Sequence, residues 1–474
     1  MSLSPAAALT GMQTKSDADS VSGLRTGLAL MLLAFAALTL LLYAAPPFVA
    51  VRWWGLNPYG MQQFRLHWGL SALPKLNLAA FSLAFRLLLV VLWSGYALLV
   101  LSVRQGVVLS TRSITLWITG AAIFTALFAP PFLSTDVYAY AAHGRLWALY
   151  GQNPYFQLPS YLARAHDPSA DYLVWNWPTI YGPVWTRIEG GAVWALRGQT
   201  LWTQVLALKL VEAAALIGMA FAGRRIVARL APGRENLTLL AIGLNPLLLL
   251  EGTGSGHNDI LMICLLLVGT MFYVEKKYVP AALFLGLSVG IKVITLLLLP
   301  WVWMEWARER TWSRRLLGGI VAFCLVLLPT ALCYVGLWHG KATLGALQAR
   351  SLFNLSRATL LENYAVAEWL KMHGVGAALA GLVVTLVQNR WLLGTFAVLT
   401  LWLFLRPRPA QWLVAWAVLS ALLMFFALGV PFPWYICWFW PVCLLRWDKV
   451  GVGLSAACFG LSLAWTAGYA MFQP

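Results

Sequence analysis

Within FLSTDVYAYAAHGRLWALYGQNPYF, residues 132–156, Asp136 follows Ser134 and Thr135 just after a long apolar run that ends at Ala129-Pro130-Pro131. A carboxylate in that place can take a proton from a hydroxyl, or it can simply face the dipole of a helix it begins. A second polar stretch, EGTGSGHNDI (251–260), has three glycines ahead of His257, Asn258 and Asp259. Such a backbone can approach a ligand closely, and the plainer reading is a turn whose His257 and Asp259 cap the next helix. Lys292 interrupts the otherwise apolar run 281–303, where a cation must snorkel or bind an anion. Arg145 is a second cation suited to a phosphate at headgroup level. Tyr181, with Trp175 and Trp177, offers rings that stack on sugars or anchor the chain in a membrane interface. Tyr435 lies in VPFPWY, the tip between two expected helices. Lys209 and Glu212, at i and i+3, read as a neutralising structural pair.

These residues need something to hold them, and the composition says what. Of 474 residues 61% are hydrophobic and 10% charged, with 26 Trp and a mean hydropathy of +0.75. Soluble chains carry about 25% charged residues, so the sequence describes an all-α polytopic membrane protein. Apolar stretches of roughly 15 to 25 residues recur from Leu28 onward, which predicts about 13 spans. The formal net charge is +17, but the cations fall in short clusters between apolar runs, a pattern that sets topology and suits anionic lipid and gives no reason to expect nucleic acid. The six cysteines lie in or beside apolar spans without a CxxC pair. They read as buried thiols, neither disulfides nor metal ligands.

Arg104 with Arg112, Arg224 with Arg225, Arg229 and Arg234, Lys276 with Lys277, and Arg308 through Arg315 mark four cytoplasmic loops. Spans at 28–47, 79–101 and 114–131 then leave Asp136 outside, at the start of an external loop, 132–200. Residues 1–27 read as a cytoplasmic tail ahead of a single transmembrane domain, 28–474. The run VYAYAAHGRLWALY predicts an amphipathic helix lying in the interface. Spans at 201–222 and 236–250 bring GHND to the same face. The run 279–303 predicts two short helices meeting at GIKV, which puts Lys292 there too. A second external loop is expected at 338–370, and Tyr435 at an external tip. The acids Asp136, Asp167, Asp171, Glu189, Glu251, Asp259, Glu362 and Glu368 all fall on that face.

STDVYAYAAHGRLWALYGQNPY, YGPVW, NPLLLLEGTGSGHNDILM and PWYICW together resemble the bacterial polyprenyl-phosphomannose-dependent α-mannosyltransferases of the GT-C superfamily, in particular the actinobacterial α-1,6-mannopyranosyltransferases. The likeness covers roughly residues 114–446. It implies a multispanning GT-C-like bundle in the cell membrane with an extracytoplasmic catalytic loop, a hexose carried on a polyprenyl phosphate, a glycan or lipid acceptor, and inversion with Asp136 as general base. Arg145, Tyr181, His257, Asn258, Asp259, Lys292 and Tyr435 are the expected substrate-binding residues. The loop contains no DD or DxD, since Thr135 precedes a single Asp136, so neither a metal nor another cofactor is expected. Two other classes are open at this point. A transporter or flippase would show repeats and mid-membrane charges on broken helices, for which Lys209 and Glu212 are the best evidence. A non-catalytic membrane partner of a lipid or carotenoid pathway would leave Asp136 and GHND without work.

Overall fold

The computed structural model describes residues 5–44, 68–69, 73–131, 134–172, 176–344, 372, 379, 390–406, 409–424 and 432–469. Every regular element among them is helical. The helices used below are α1 (Pro5–Tyr43), α2 (Leu78–Arg104), α3 (Thr111–Phe128), α4 (Asp136–Tyr150), α5 (Pro183–Ala195), α6 (Leu201–Leu230), α7 (Glu235–Gly243), α8 (Asp259–Val274), α9 (Tyr278–Ile291), α10 (Leu299–Ala307), α11 (Trp312–Tyr334), α12 (Arg390–Leu405), α13 (Trp412–Leu422) and α14 (Lys449–Tyr469).

Short polar residues ahead of apolar runs start the long helices. Asn77, Ser110 and Thr200 each accept a backbone N–H three residues on, at 2.8, 3.0 and 3.4 Å, satisfying donors that the first turn leaves over. Five segments are long and apolar enough to cross a membrane: Val21–Tyr43, Leu78–Arg104, Thr111–Phe128, Leu201–Leu230 and Trp312–Tyr334. A sixth crossing forms if α7 and the bent segment Leu248–Gly254, at 56°, make one span. The spans expected at 28–47, 79–101, 114–131 and 201–222 therefore correspond to α1, α2, α3 and α6. Residues 5–27, which precede the first expected span, are helical and continuous with it. Four of the cysteines are buried as expected, but Cys324 is exposed on α11 and Cys333 is half-buried.

The elements pair as α1 on α2, α4 on α5, α6 against α3, α7 and α8, and α9 on α11. Helix α4 departs from the expected amphipathic interfacial helix. Val137, Tyr138 and Tyr140 through Leu146 are all buried, and over these turns only Asp136 and Ala139 keep some exposure, so the helix has no continuous face for lipid or water. Its contact with α5 requires a residue without a side chain, because a Cβ on Gly144 would lie 2.7 Å from the Glu189 carbonyl oxygen. The run 279–303 does break where expected: α9 stops at Ile291, Lys292 is extended, and a 3₁₀ turn, Val293–Leu298, leads into α10. Beyond residue 344 most of the expected external loop 338–370, with Glu362 and Glu368, lies outside the described residues, as does Trp175.

The basic clusters gather at one end of the bundle. Arg225 pairs with Glu275 at 2.8 Å, Arg224 bonds Asn236, and Arg310 stands over the Tyr278 ring. The opposite end holds α4, α5 and the last residues of α11, tied by Arg187 Nε to the Cys333 carbonyl at 3.0 Å and Asn153 Nδ2 to the Leu337 carbonyl at 2.9 Å. The polar stretches singled out in the sequence are at that second end.

Candidate active site

Asp136 is the first residue of α4, but its carboxylate does not cap the helix. Ser134 Oγ accepts the Asp136 N–H at 3.1 Å, which leaves the side chain free to point elsewhere. Asp136 Oδ2 accepts the Tyr181 hydroxyl at 3.0 Å and the Tyr140 hydroxyl at 3.4 Å. Tyr140 sits one turn along the same face of α4, and Tyr181 comes from the segment that leads into α5, its ring edge-on to Tyr140 at 5.0 Å.

The same oxygen lies 3.7 Å from His257 Nδ1, and His257 Nε2 lies 3.6 Å from Glu251 Oε2. The local chain explains how both reach Asp136. After α7 the helix axis bends at Asn245-Pro246, where Asn245 Oδ1 accepts the Leu247 N–H at 3.0 Å. The following turn widens to i→i−5 bonding, as in Ser255 N to Leu250 O at 2.9 Å, and presents Glu251. Wide turns of this kind recur at functional sites. Gly256 then takes φ +77°, a conformation that L side chains resist, and turns the chain so that His257 faces Asp136. His257 is held flat against Trp434, centroids 4.2 Å apart at 21°.

Asp259 begins α8 and also fails to cap its helix. Its Oδ1 takes Lys292 Nζ at 2.6 Å and the Trp438 indole N–H. Lys292 is placed by the break after α9, and its ammonium is 5.5 Å from the Tyr181 ring centre and 5.8 Å from that of Trp438. Tyr435 packs against Trp438 at 4.5 Å, and so supports the ring that touches Asp259.

Among these groups Asp136 alone has substantial accessible surface: its side chain is 23% exposed, whereas His257 is 1% and Glu251, Asp259 and Asn258 are 0%. Several of the buried polar atoms make no hydrogen bond: both oxygens of Glu251, both ring nitrogens of His257, both amide atoms of Asn258 and Asp259 Oδ2. Natural proteins satisfy most such groups, so a concentration of them in one place calls for a ligand or water to complete it. The arrangement offers a carboxylate open to a hydroxyl, an imidazole beside it, and a cation 2.6 Å from a buried acid.

Asp136, Tyr181, His257, Asn258, Asp259 and Lys292, from four separate stretches, thus meet at one site, with Tyr435 behind it. Arg145 is not brought there. Nine residues beyond Asp136 on α4, it lies on the opposite face, about 13 Å farther along the axis. Its guanidinium makes Nε and Nη2 bonds of 2.7 to 3.0 Å to Asp167, and Nη1 reaches Gln204 at 2.8 Å. Burial raises the Asp167 carboxyl, but hydrogen bonds from Arg145, Ser169 and Tyr150 outweigh it and hold the group below the usual carboxylate range. The expected phosphate contact of Arg145 gives way to a closed ion pair. Lys209 and Glu212 find other partners than the one expected: Lys209 donates to the Ala129 carbonyl, and Glu212 accepts the Leu261 N–H at 3.0 Å. Trp177 is exposed and contributes its carbonyl to His143 at 3.1 Å. Tyr140, Trp434 and Trp438 were not singled out, although all three stand inside motifs noted above, Tyr140 in STDVYAYAAHGR and the two tryptophans in PWYICW, and Glu251 was named only among the acids of that face.

The model of the α-(1→6)-mannopyranosyltransferase N-terminal domain family matches residues 59–308, and that of glycosyltransferase family 87 matches residues 191–431. The chain is 30% identical over 192 residues to α-(1→6)-mannopyranosyltransferase A of Corynebacterium glutamicum, covering 38% of this chain and 36% of the relative. To the protein of that name in Mycobacterium tuberculosis it is 26% identical over 332 residues, covering 66% of this chain and 61% of the relative. The chain therefore spans less than two thirds of either relative. No solved structure matches it.

Proposed function

Because the chain belongs to the α-(1→6)-mannopyranosyltransferase N-terminal domain family, we propose that it transfers a mannosyl group from a polyprenyl-phosphate donor to a hydroxyl of a glycan or lipid-linked acceptor, with inversion and with Asp136 as general base. The observation that carries this reading is the exposure of the Asp136 carboxylate at the edge of an otherwise buried cluster containing His257, Glu251, Asp259 and Lys292.

In this mechanism the acceptor oxygen attacks the anomeric carbon as the bond from that carbon to the phosphate oxygen breaks. The acceptor proton passes to Asp136, and polyprenyl phosphate leaves as a stabilised anion. The donor is already activated, so the protein's work is to orient the hydroxyl and receive its proton, worth roughly 10² to 10⁴ in rate. Tyr181 and Tyr140 fix the carboxylate oxygen. Lys292, held by Asp259 at 2.6 Å, supplies the positive charge that the departing phosphate needs. His257 beside the carboxylate, and its buried chain neighbour Asn258, have atoms that make no hydrogen bond and suit the sugar hydroxyls.

The site lies at the extracytoplasmic face on this reading, since the basic clusters collect at the other end of the bundle. The five long segments, the bent pair and the six shorter apolar helices then belong to a GT-C-like bundle of about 13 spans. Two measurements test the proposal. Purified protein should transfer radiolabelled mannose from polyprenyl phosphomannose and not from a nucleotide sugar. Single cysteines at 160 and at 310 should label from outside only and after permeabilisation only, respectively; the reverse pattern would place Asp136 in the cytoplasm and remove the donor assignment.

A further inference from the structure

At the end of the bundle opposite Asp136, a groove of about 750 Å³ runs between α9, α10 and α11. It falls within the roughly 300 to 1,000 Å³ of ligand sites. Its walls include Leu285 of α9, Trp303 and Trp306 of α10, and Phe323 and Val326 of α11, with Tyr278 at the start of α9. Helix α9 runs about 20 Å from Tyr278 to Lys292, so the groove's aromatic end is a helix length away from the candidate active site. Trp303 and Trp306 lie against Gly319 and Gly318 of α11, where a Cβ would meet their rings at 2.6 and 2.0 Å. The two adjacent glycines make room for the indoles and shape that wall.

Two features say what fits. Helix α11 is apolar and has Val326 as its buried residue, while Leu316, Leu317, Ile320 and Phe323 are exposed, so the groove is walled by a helix that faces hydrocarbon. The mouth is cationic. The Arg310 guanidinium stands 4.1 Å over the Trp306 ring and 5.6 Å over the Tyr278 ring, both of which line the groove. Arg308, Arg314 and Arg315 share that turn, against Glu309 and against Glu305, which is engaged by the Ala410 N–H at 2.9 Å. Arg308 donates to the Leu403 carbonyl at 2.9 Å, Arg315 to the Arg310 carbonyl at 2.7 Å, and Arg310 Nη1 to the Trp306 carbonyl, so Arg314 and the remaining N–H groups of Arg310 are the donors left for a ligand. Arginines on a ring of aromatics above an apolar slot suit a phosphate with a hydrocarbon tail.

We propose that this groove binds an anionic phospholipid, its phosphate at Arg310 and Arg314 and one acyl chain between α9, α10 and α11. The site is separate from the one that performs glycosyl transfer and concerns the basic end of the bundle. Native mass spectrometry of the full chain tests it, titrating phosphatidylglycerol or phosphatidylcholine with identical acyl chains. Phosphatidylglycerol should bind about thirtyfold more tightly, since each of the two cations near an anionic headgroup contributes about 1 kcal/mol. The double variant Arg310→Gln, Arg314→Gln should lose that preference and keep the weaker binding of phosphatidylcholine. Val279→Trp places a large ring at an exposed groove position and should weaken both lipids. Equal binding of the two lipids, or unchanged phosphatidylglycerol binding in the double variant, overturns the proposal. So does competition by polyprenyl phosphate with a raised donor KM in Val279→Trp, which would give the groove to the donor tail. None of these outcomes bears on turnover by Asp136.

Discussion

Helix α4 carries two charged clusters, one toward each end, and they are built in opposite ways. Around Asp167 the polar atoms are matched: one carboxylate takes Arg145, Tyr150 and Ser169, and Arg145 spends its remaining reach on Gln204. Around Asp136 the carboxylate is part-exposed, and the groups behind it keep unmatched atoms although they are almost wholly buried. A satisfied buried network fixes a structure, whereas a partly satisfied one is costly unless something else completes it. Two charged groups on one helix, equally suggestive in a sequence, thus separate into a clasp and a site.

The sharpest way to break that contrast is to remove each carboxylate in turn. Asp136→Asn keeps size and some hydrogen bonding, so kcat should fall by about 10² to 10⁴ while thermal stability in detergent stays close to wild type. Near-normal turnover of the folded variant would remove Asp136 as the base. Asp167→Asn should do the reverse. It leaves the Arg145 guanidinium buried without its counter-charge, a change that costs roughly 3 to 5 kcal/mol, so unfolding should shift strongly while turnover per folded molecule is preserved. If Asp167→Asn instead abolishes turnover in a stable protein, the clasp is part of the site.

The sequence carried much of this, unevenly. Span starts near 79, 114 and 201 were readable from where the apolar runs begin, a local signal, and the caps Asn77, Ser110 and Thr200 stand just ahead of them. The break at Lys292 was readable because Lys277 and Arg308, on either side of 279–303, both read as cytoplasmic, which one span cannot satisfy. The meeting of Asp136 with GHND and Lys292 followed from counting crossings between basic clusters. What could not be read was pairing across distance. Arg145 looked like a phosphate ligand because its partners, 22 and 59 residues away, leave no trace in the residues around it. Helix α4 looked amphipathic, yet α5 and α6 cover the face that was expected to meet the interface. Glu251 was legible only as one acid among eight on that face, because only the widened turn and the bend at Asn245-Pro246 aim it at His257.

Acid should destabilise the fold around α4 through a buried imidazole. Burial pushes His143 from the usual 6.5 down to about 4, opposed by the Trp177 carbonyl and Asp136. The folded state therefore keeps the imidazole neutral while the unfolded chain takes up a proton below 6.5. Stability from this group is full above pH 6.5 and is lost as pH falls toward 4, by about 3 kcal/mol in all. Asp167, held below its usual range, adds loss in the same direction as acid reaches it. Denaturation midpoints measured at pH 7.5 and 5 should drop in the wild type and drop less in His143→Phe. An equal drop in both would mean that His143 is not the group responsible.

The smallest effect expected is also the one that most finely divides the open cluster. Tyr181 and Tyr140 both point at Asp136 Oδ2, at 3.0 and 3.4 Å, and their hydroxyls lie 3.4 Å from each other. Only the first is within the ordinary range for a hydroxyl donating to a carboxylate, so Tyr140 acts mainly by steadying Tyr181. A hydrogen bond to a charged acceptor is worth about 1.5 to 3 kcal/mol. Part of that is regained when the acceptor is open to solvent, as Asp136 partly is. Tyr181→Phe should therefore lower kcat by about tenfold, with donor KM unchanged because the ring beside Lys292 remains. Tyr140→Phe should lower kcat by less, and the double variant should resemble Tyr181→Phe alone, since the two hydroxyls act on one oxygen in sequence. Equal and additive losses would show two independent donors. No loss in Tyr181→Phe would show that the carboxylate is positioned by His257, with the tyrosines serving only as packing.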